Sequence, residues 1–112
     1  MTAYRLNGTT ASIVPYKQTW EDLTYGTDHL GAPIVSAFKN CTLEFDSMNY
    51  ASAQQWLQFC NTGTSLATLT ILNLDGTSFT AFSGVFLSMQ SRPTFESGYV
   101  GPFSIKVVKL IP

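Results

Sequence analysis

The sequence has few charged residues and no long hydrophobic run. Charged side chains make up 12% of the 112 residues, about half the roughly 25% of an average soluble chain. The six Lys and Arg residues form no basic cluster that could grip a phosphate backbone. No apolar run approaches the roughly 18 residues of a membrane span, and the N-terminus lacks the pattern of a signal peptide. We therefore expect no membrane contact and no specific nucleic-acid binding.

Cysteine and histidine are also scarce. Cys41 and Cys60 are too few for a disulfide framework or a paired metal knuckle, so we expect buried free thiols. His29, the single histidine, lies in a Gly-rich segment beside Asp28 and has no second titratable partner nearby in sequence. The spacings of a nucleophile elbow, a P-loop, a CxxC pair and an HExxH zinc site are all missing. The sequence thus predicts no catalytic residue, no metal ligand and no cofactor site, and a protein that is not an enzyme.

The residues that are present favour one β-rich domain. Hydrophobic residues make up 45% of the chain and aromatic residues 13%, which excludes a disordered chain. Threonine and serine together exceed a fifth of the sequence, and threonine favours strands. The length suits a single hydrophobic core, so we treat residues 1–112 as one domain.

One segment has helical periodicity. After Asp46, apolar residues follow the i, i+3, i+4, i+7 spacing of one helical stripe: Ala53, Trp56, Leu57 and Cys60. Ser47 or Asn49 can cap the start of this helix, and Gly63 can supply the left-handed residue after its end. The pattern predicts a single α-helix over about residues 49–61.

The rest of the chain reads as strands and turns. Lys17 to Pro33 is expected to be a strand that runs into a long exposed hairpin or loop. The other expected strands are Ile34 to Phe45 with a bulge near Lys39, Leu66 to Leu74, Thr77 to Gln90, and Phe103 nearly to Pro112. Asp75-Gly76 predicts a tight two-residue hairpin turn, and Gly84 a bulge or a close backbone approach. The predicted fold is mainly β: an antiparallel β-sandwich or barrel of two small sheets, flanked by the helix.

A long uncharged stretch is the most unusual feature. From Ser47 through Ser91 the only charged residue is Asp75. The outward helix positions are Gln54, Gln55 and Gln58, with Phe59 at the edge of the apolar stripe. Uncharged polar groups are less costly to desolvate than ions, so this face is suited to burial against another subunit. The alternative is an amide-rich face that stays in solvent.

Strand edges and exposed aromatic residues give the same indication. The expected hairpin strands Leu66 to Leu74 and Thr77 to Gln90 contain neither Lys nor Pro, the residues that usually protect a sheet edge from pairing. Trp20 and Tyr25, in the long hairpin region, are expected to need a partner surface. A different use of the aromatic residues stays open: Trp20, Tyr25 and Tyr50 could stack on a sugar in a small carbohydrate- or ligand-binding sandwich.

The order of these elements resembles a known family. The resemblance covers roughly Ile34 to Leu110 and is one of pattern. It rests on a strand ending in Cys41-Thr42-Leu43-Glu44-Phe45, a helix around Trp56, the Asp75-Gly76 hairpin, the Phe82-Ser83-Gly84-Val85 strand and the closing strand Phe103-Ser104-Ile105-Lys106-Val107. In this order the chain is similar to the small tail-tube-like proteins of tailed bacteriophages.

The resemblance implies a virion structural protein, made in the host cytoplasm, whose six copies close into a ring. Such rings stack into a tube through which DNA passes without specific binding, so the partners are copies of the chain and other virion proteins. It implies that the helix around Trp56 packs between subunits and that the loop from Glu21 to Pro33 reaches the next ring. Glu21, Asp22 and Asp28 would face the lumen, where like charge lets DNA slide. A capsid cement or decoration protein and a head–tail joining protein are the nearest alternatives.

Overall fold

The computed structural model describes residues 4–90 and 92–111. These residues form a mainly β fold with a single helix, α1 (Tyr50–Leu57). The strands are β1 (Arg5–Leu6), β2 (Thr9–Thr10), β3 (Lys17–Thr27), β4 (Pro33–Phe45), β5 (Met48–Asn49), β6 (Leu66–Leu72), β7 (Phe79–Val85), β8 (Leu87–Ser88), β9 (Phe95–Glu96), β10 (Tyr99–Val100) and β11 (Phe103–Leu110).

The strands form three antiparallel sheets. The first sheet has the order β2-β1-β6-β7, and the second has the order β3-β4-β11-β8. A third, small sheet has the order β5-β10-β9 and lies beside α1. The predicted mainly β, antiparallel fold with one flanking helix is therefore confirmed. The small third sheet was not predicted, since its strands of two residues are too short to show an alternating pattern.

One contiguous cluster of buried side chains joins the sheets and the helix. Trp56 lies at its centre and is 0% exposed. The indole ring packs against Phe45 at 4.8 Å between ring centroids, and Phe45 stacks on Phe103 at 4.9 Å. The indole N–H donates a hydrogen bond of 3.0 Å to the backbone carbonyl of Ile13. The helix is thereby fixed to the second sheet and to the N-terminal segment together.

The helix begins and ends near the predicted limits. Asn49 is its N-cap, because the Asn49 side chain accepts a 2.8 Å hydrogen bond from the backbone N–H of Ser52. The first left-handed residue after the helix is Asn61, with φ of 56°, two residues before the predicted Gly63. The Arg92 guanidinium donates to the carbonyls of Leu57 and Cys60 after the last turn, and the Leu57 carbonyl also accepts a 3.1 Å hydrogen bond from the backbone N–H of Cys60.

The hairpin between β6 and β7 is present, but its predicted two-residue turn is wrong. Leu72 pairs with Phe79, and Asn73 closes a longer loop by donating a 2.7 Å hydrogen bond from its N–H to the Ser78 carbonyl. A tight Asp-Gly turn of the predicted type needs positive φ at both residues. Only Gly76 has it here, with φ of 74°. The Asp75 carboxylate instead accepts hydrogen bonds from the backbone N–H groups of Thr77 and Ser78.

These hydrogen bonds make the stability of the hairpin depend on pH. The backbone N–H of Thr77, followed by that of Ser78, lowers the pKa of the Asp75 carboxyl below 3.8. A carboxyl whose folded pKa is lowered stabilises the fold above its unfolded pKa, and this contribution is lost as the pH falls through the folded value. We expect Asp75→Asn to lower the thermal midpoint at pH 7 and to lose less stability than the parent between about pH 5 and pH 2. Thermal melts of both proteins across that range, followed by circular dichroism, check this; parallel pH curves would contradict it.

Gly84 has a different role from the predicted one. The pairing of β6 with β7 keeps one register from Leu72 to Leu66, so no bulge occurs at Gly84. Nothing lies within 4 Å of the position that a Cβ would occupy there. Gly84 has φ of 62°, a left-handed conformation that glycine adopts without strain. This conformation comes directly before the chain leaves the first sheet and enters β8 of the second sheet.

Strands β3 and β4 extend far beyond the rest of the second sheet. Strand β11 pairs with β4 only as far as Lys39. Beyond Lys39 the hairpin continues alone, and we call residues 23–38 the arm. The β3–β4 register shifts between the pairs Asp22–Lys39 and Thr24–Val35, which agrees with the predicted bulge near Lys39. The molecule is accordingly elongated, with principal extents of 56 × 30 × 25 Å.

Candidate interaction surfaces

The tip of the arm is a loop held by its own hydrogen bonds. One carboxylate oxygen of Asp28 accepts hydrogen bonds from the N–H groups of Leu30 at 2.9 Å and Ala32 at 3.0 Å. The backbone N–H of Asp28 donates to the Ala32 carbonyl at 2.8 Å, so the loop closes on both sides. This bonding fixes Leu30 at the outermost point of the arm, where its side chain is 81% exposed.

The arm carries several large apolar side chains that are exposed to solvent. Its exposed large apolar side chains are Tyr25, Leu30, Ile34, Val35 and Phe38. Their exposed fractions correspond to on the order of 500 Å² of largely apolar surface in total. An apolar surface of this extent on one projecting hairpin makes the arm a candidate interaction surface.

The apolar residues of the arm lie on both of its faces. Val35 is paired with Thr24, and partners in a pair share a face. Tyr25 follows Thr24 in β3, and Ile34 precedes Val35 in β4. Since neighbouring residues in a strand point to opposite faces, Tyr25 and Ile34 lie on the other face of the hairpin. Strands with apolar residues on both faces are usually strands that are covered on both sides. The arm is therefore suited to lie between two surfaces.

An aromatic contact and an ion pair lie where the arm leaves the body. The Trp20 ring packs against Phe82 at 6.1 Å between centroids, which places the predicted interface residue Trp20 half-buried at the base of the arm. The Lys39 ammonium forms a salt bridge with the Asp22 carboxylate. Glu21 is exposed and, as the neighbour of Asp22 in β3, points to the opposite face.

This geometry separates the three acidic residues that the resemblance assigns to a lumen. Asp22 has its charge compensated by Lys39, and Asp28 has its carboxylate engaged in the tip loop. Glu21 lies on the other face of the hairpin from Asp22. The three residues therefore do not form one acidic surface on a single face of the arm.

The outward face of α1 forms a second uncharged surface. Gln58 is exposed, whereas Gln54, Gln55 and Phe59 are half-buried. The Gln55 side-chain oxygen accepts hydrogen bonds from the N–H and the hydroxyl of Ser12, so this amide already has partners within the chain. A cleft of about 130 Å³ separates this face from the β1–β2 hairpin and is lined by Leu6, Asn7, Thr9, Thr10, Gln55, Gln58 and Phe59. The predicted absence of charge on this face holds in three dimensions.

Trp56 does not belong to either surface. The resemblance places the helix around Trp56 between subunits, but this side chain is 0% exposed and contacts Phe45 and the Ile13 carbonyl. A ring with no exposed area cannot contribute contact surface to a second subunit. We therefore assign Trp56 to the core of its own chain. The outward face of α1 is formed by Gln54, Gln58 and Phe59.

The two cysteines are free and buried, as predicted. Burial raises the pKa of the Cys41 thiol to about 11, opposed in part by a hydrogen bond with the Gln18 side chain. Burial also raises the pKa of the Cys60 thiol to about 11, opposed in part by the charge of Arg92. Because the thiolate is the reactive form, both side chains are unreactive near neutral pH while the chain stays folded.

The titratable residues do not converge. His29 lies exposed in the tip loop of the arm, next to the Asp28 that holds this loop. Across residues 4–90 and 92–111, no three or more His, Cys, Asp or Glu side chains are grouped so that they could hold a metal ion. The same part of the chain contains no helix long and apolar enough to cross a bilayer.

The aromatic residues of the carbohydrate-binding alternative lie on separate elements. Trp20 packs on Phe82 at the base of the arm, and Tyr25 is 71% exposed farther out on the arm. Tyr50 starts α1 and contacts Phe95 at 5.7 Å between ring centroids. A sugar platform needs these rings side by side on one face. The ring contacts do not bring Trp20, Tyr25 and Tyr50 together.

Sequence reasoning did not assign the apolar residues of the tip loop and of the second strand of the arm to an interface. It identified Tyr25 but not Leu30, Ile34, Val35 or Phe38. The signal was present in the run from Pro33 to Phe38, which has no charged residue and has apolar side chains at adjacent positions. In a half-exposed strand these would alternate with polar residues, so the run indicates a strand meant to be covered.

Comparison with known proteins identified no relative: no family model, no curated protein and no solved structure matches the chain.

Proposed function

We propose that this protein is a non-enzymatic structural subunit that assembles with copies of itself through the arm and the outward face of α1. The main support for this proposal is the exposed surface of the arm. The arm presents on the order of 500 Å² of largely apolar surface on a hairpin that extends past Lys39, where the pairing of β4 with β11 ends. Exposure of such a surface in an isolated molecule is unfavourable, and a second protein surface removes this cost.

The outward helix face supports the same function. Gln58 is exposed and Gln54 and Phe59 are half-buried, and no charged side chain lies on the wall of the cleft beside them. Desolvating amides that regain hydrogen bonds is far less costly than desolvating unpaired ions. Two separate surfaces of this kind allow each copy to contact two neighbours, which a ring or a filament requires.

The finer proposal is a tail-tube-like protein of a tailed bacteriophage. It rests on the resemblance of element order and on the combination of a β-rich body, one flanking helix and a projecting hairpin. In that role the copies form rings, hexameric by the resemblance, that line a passage for DNA and stack with other virion proteins. A cement or decoration protein would use the same surfaces to bind a preformed shell, so the symmetry of the assembly separates the two roles.

Sedimentation and electron microscopy of the purified protein over a range of concentrations test this proposal. We expect rings or tubes at high concentration, and we expect Gln58→Lys to shift the assembly midpoint at least about tenfold upward because the new ion must be desolvated. Gln90→Lys is the matched control, since Gln90 is exposed and lines clefts with Thr42 and Ser104 instead of the cleft beside α1. A protein that stays monomeric at the highest concentrations would refute the proposal, and equal effects of the two substitutions would remove the helix face from it.

A further inference from the structure

The exposed edges of the two larger sheets are not equally protected against pairing with an added strand. At β8, the backbone N–H of Asn61 donates to the Leu87 carbonyl at 3.0 Å. The Asn61 side-chain amide also accepts from the N–H of Met89 and donates to its carbonyl, at 3.1 and 3.0 Å. These bonds satisfy the backbone groups that an added strand would use, so the β8 edge is closed.

Two other edges are short or charged. Strand β2 has only two residues, which is too few to hold an added strand. Strand β3 carries Lys17, Glu21 and Asp22, and charged side chains on an edge oppose pairing with another strand.

The β7 edge has none of these protections. It is seven residues long, contains neither a charged residue nor proline, and no described strand pairs with its outer side. Ala81 and Ser83 are exposed on it. Natural sheets seldom leave an edge of this length and composition open unless it is used for pairing.

An apolar cleft of about 390 Å³ lies beside this edge. Its apolar lining residues are Phe38, Phe82, Val85, Leu110 and Ile111. Ile111 is 58% exposed, and none of the described residues that line the cleft is charged. The β7 edge thus offers both unpaired backbone groups and an apolar surface, which are the two requirements for capture of an extended segment.

We propose that the β7 edge and its cleft receive the arm of a second copy, whose β4 segment, residues 34–37, is added to β7 as a further strand. This inference rests on the proposed self-assembly and names the acceptor of the arm. The donor segment matches the acceptor: none of the described strands pairs with its outer side, because β11 pairs with β4 only as far as Lys39, and the segment has no charge and has apolar residues on both faces. Its fixed tip loop reduces the entropy lost on docking.

An arm that docks in this cleft comes from a second copy, because the arm cannot reach the cleft of its own chain. Phe38, at the root of the arm, lines the cleft, whereas Leu30 lies eight residues farther along the hairpin. At about 3.3 Å per residue the tip is roughly 25 Å from the root, and the arm points away from the body. The donor and acceptor surfaces of one chain are therefore different, which makes the contact heterologous. Repeated heterologous contacts give a closed ring or an open filament, not a two-fold dimer.

A mixing experiment tests this arrangement. The donor variant is Ile34→Lys with Val35→Lys, and the acceptor variant is Ala81→Lys with Ser83→Lys. The control variant, Thr19→Lys with Ser104→Lys, adds the same charge at exposed positions of the second sheet, with Ser104 about 20 Å along β11 from Leu110. Each protein is analysed alone and in equimolar mixtures by analytical ultracentrifugation, and its fold is checked by circular dichroism.

We expect the parent and the control variant to assemble through the arm contact, and the donor and acceptor variants to be folded, to lose that contact and to sediment as smaller species than the parent. Mixing those two variants restores one arm contact per pair, so the mixture should contain a 1:1 heterodimer joined by that contact. Assembly of the acceptor variant at the parental level, failure of the mixture to dimerise, or failure of the control variant to assemble would each overturn the inference while leaving the proposed function standing. A monomeric parent protein would overturn both.

Discussion

Replacing Trp56 by alanine will lower the free energy of unfolding by about 3–5 kcal/mol, the usual cost of removing a large aromatic side chain from a core. Trp56 is 0% exposed, packs on Phe45 and donates to the Ile13 carbonyl. A small domain is stable by only about 5–15 kcal/mol, so a substantial fraction of the variant will be unfolded at moderate temperature. Urea titration of the protein at a concentration too low for assembly measures the loss.

Two companion variants separate packing from hydrogen bonding. Trp56→Phe keeps a ring beside Phe45 but leaves the Ile13 carbonyl without its donor, so we expect a loss of about 1–3 kcal/mol. Tyr16→Ala removes an aromatic side chain that is 66% exposed, and we expect a change within about 0.5 kcal/mol. If Trp56→Ala instead left the monomer stable and only weakened association, Trp56 would be an interface residue and the assignment to the core would be wrong.

Shortening the arm will strongly weaken self-association while leaving the body folded. Asp22 and Lys39 are opposite partners joined by a salt bridge, so Asn-Gly can replace residues 23–38 and close the hairpin with a two-residue turn. The deletion removes on the order of 500 Å² of exposed apolar surface, worth on the order of 10 kcal/mol as an upper limit before the costs of association. We expect association to weaken by more than about 100-fold, which corresponds to about 2.7 kcal/mol.

Sedimentation equilibrium measures the association, and thermal melting monitors the body. The deleted residues are exposed or half-buried, so the monomer should keep its melting temperature to within a few degrees. Leu30→Ser is a milder companion, because a side chain that is 81% exposed contributes little to folding. Undiminished assembly of the shortened protein would show that the arm is not an assembly element.

The fold class and the helix could be derived from local sequence pattern. The stripe of Ala53, Trp56 and Leu57 repeats at helical spacing, and the alternation of Phe103, Ile105 and Val107 repeats at strand spacing. Both signals depend on neighbours in the chain, so no knowledge of the tertiary structure was needed to read them. The absence of charge from Ser47 through Leu74 is likewise a property of the sequence, and it predicted the uncharged helix face.

The turns depended on side-chain hydrogen bonds that composition does not specify. Asp75-Gly76 is the usual pair for a tight hairpin turn, but the Asp75 carboxylate binds the N–H groups of Thr77 and Ser78 and widens the loop. Gly84 has the left-handed conformation that its residue type allows, yet the pairing around it is regular. Residue type limits the backbone conformations available at a turn, and long-range packing selects among them.

The sequence by itself determined a β-rich chain with one short helix, two unreactive buried thiols and a middle section whose one charged residue is Asp75, because periodicity and composition are local properties. Only the tertiary structure decided which of these residues face a neighbour. Burial placed Trp56 in the core, and the early end of β11 pairing at Lys39 left the arm uncovered. The physical reason is that exposure depends on where distant strands stop pairing. A local sequence pattern does not determine how far along a strand its partner strand extends.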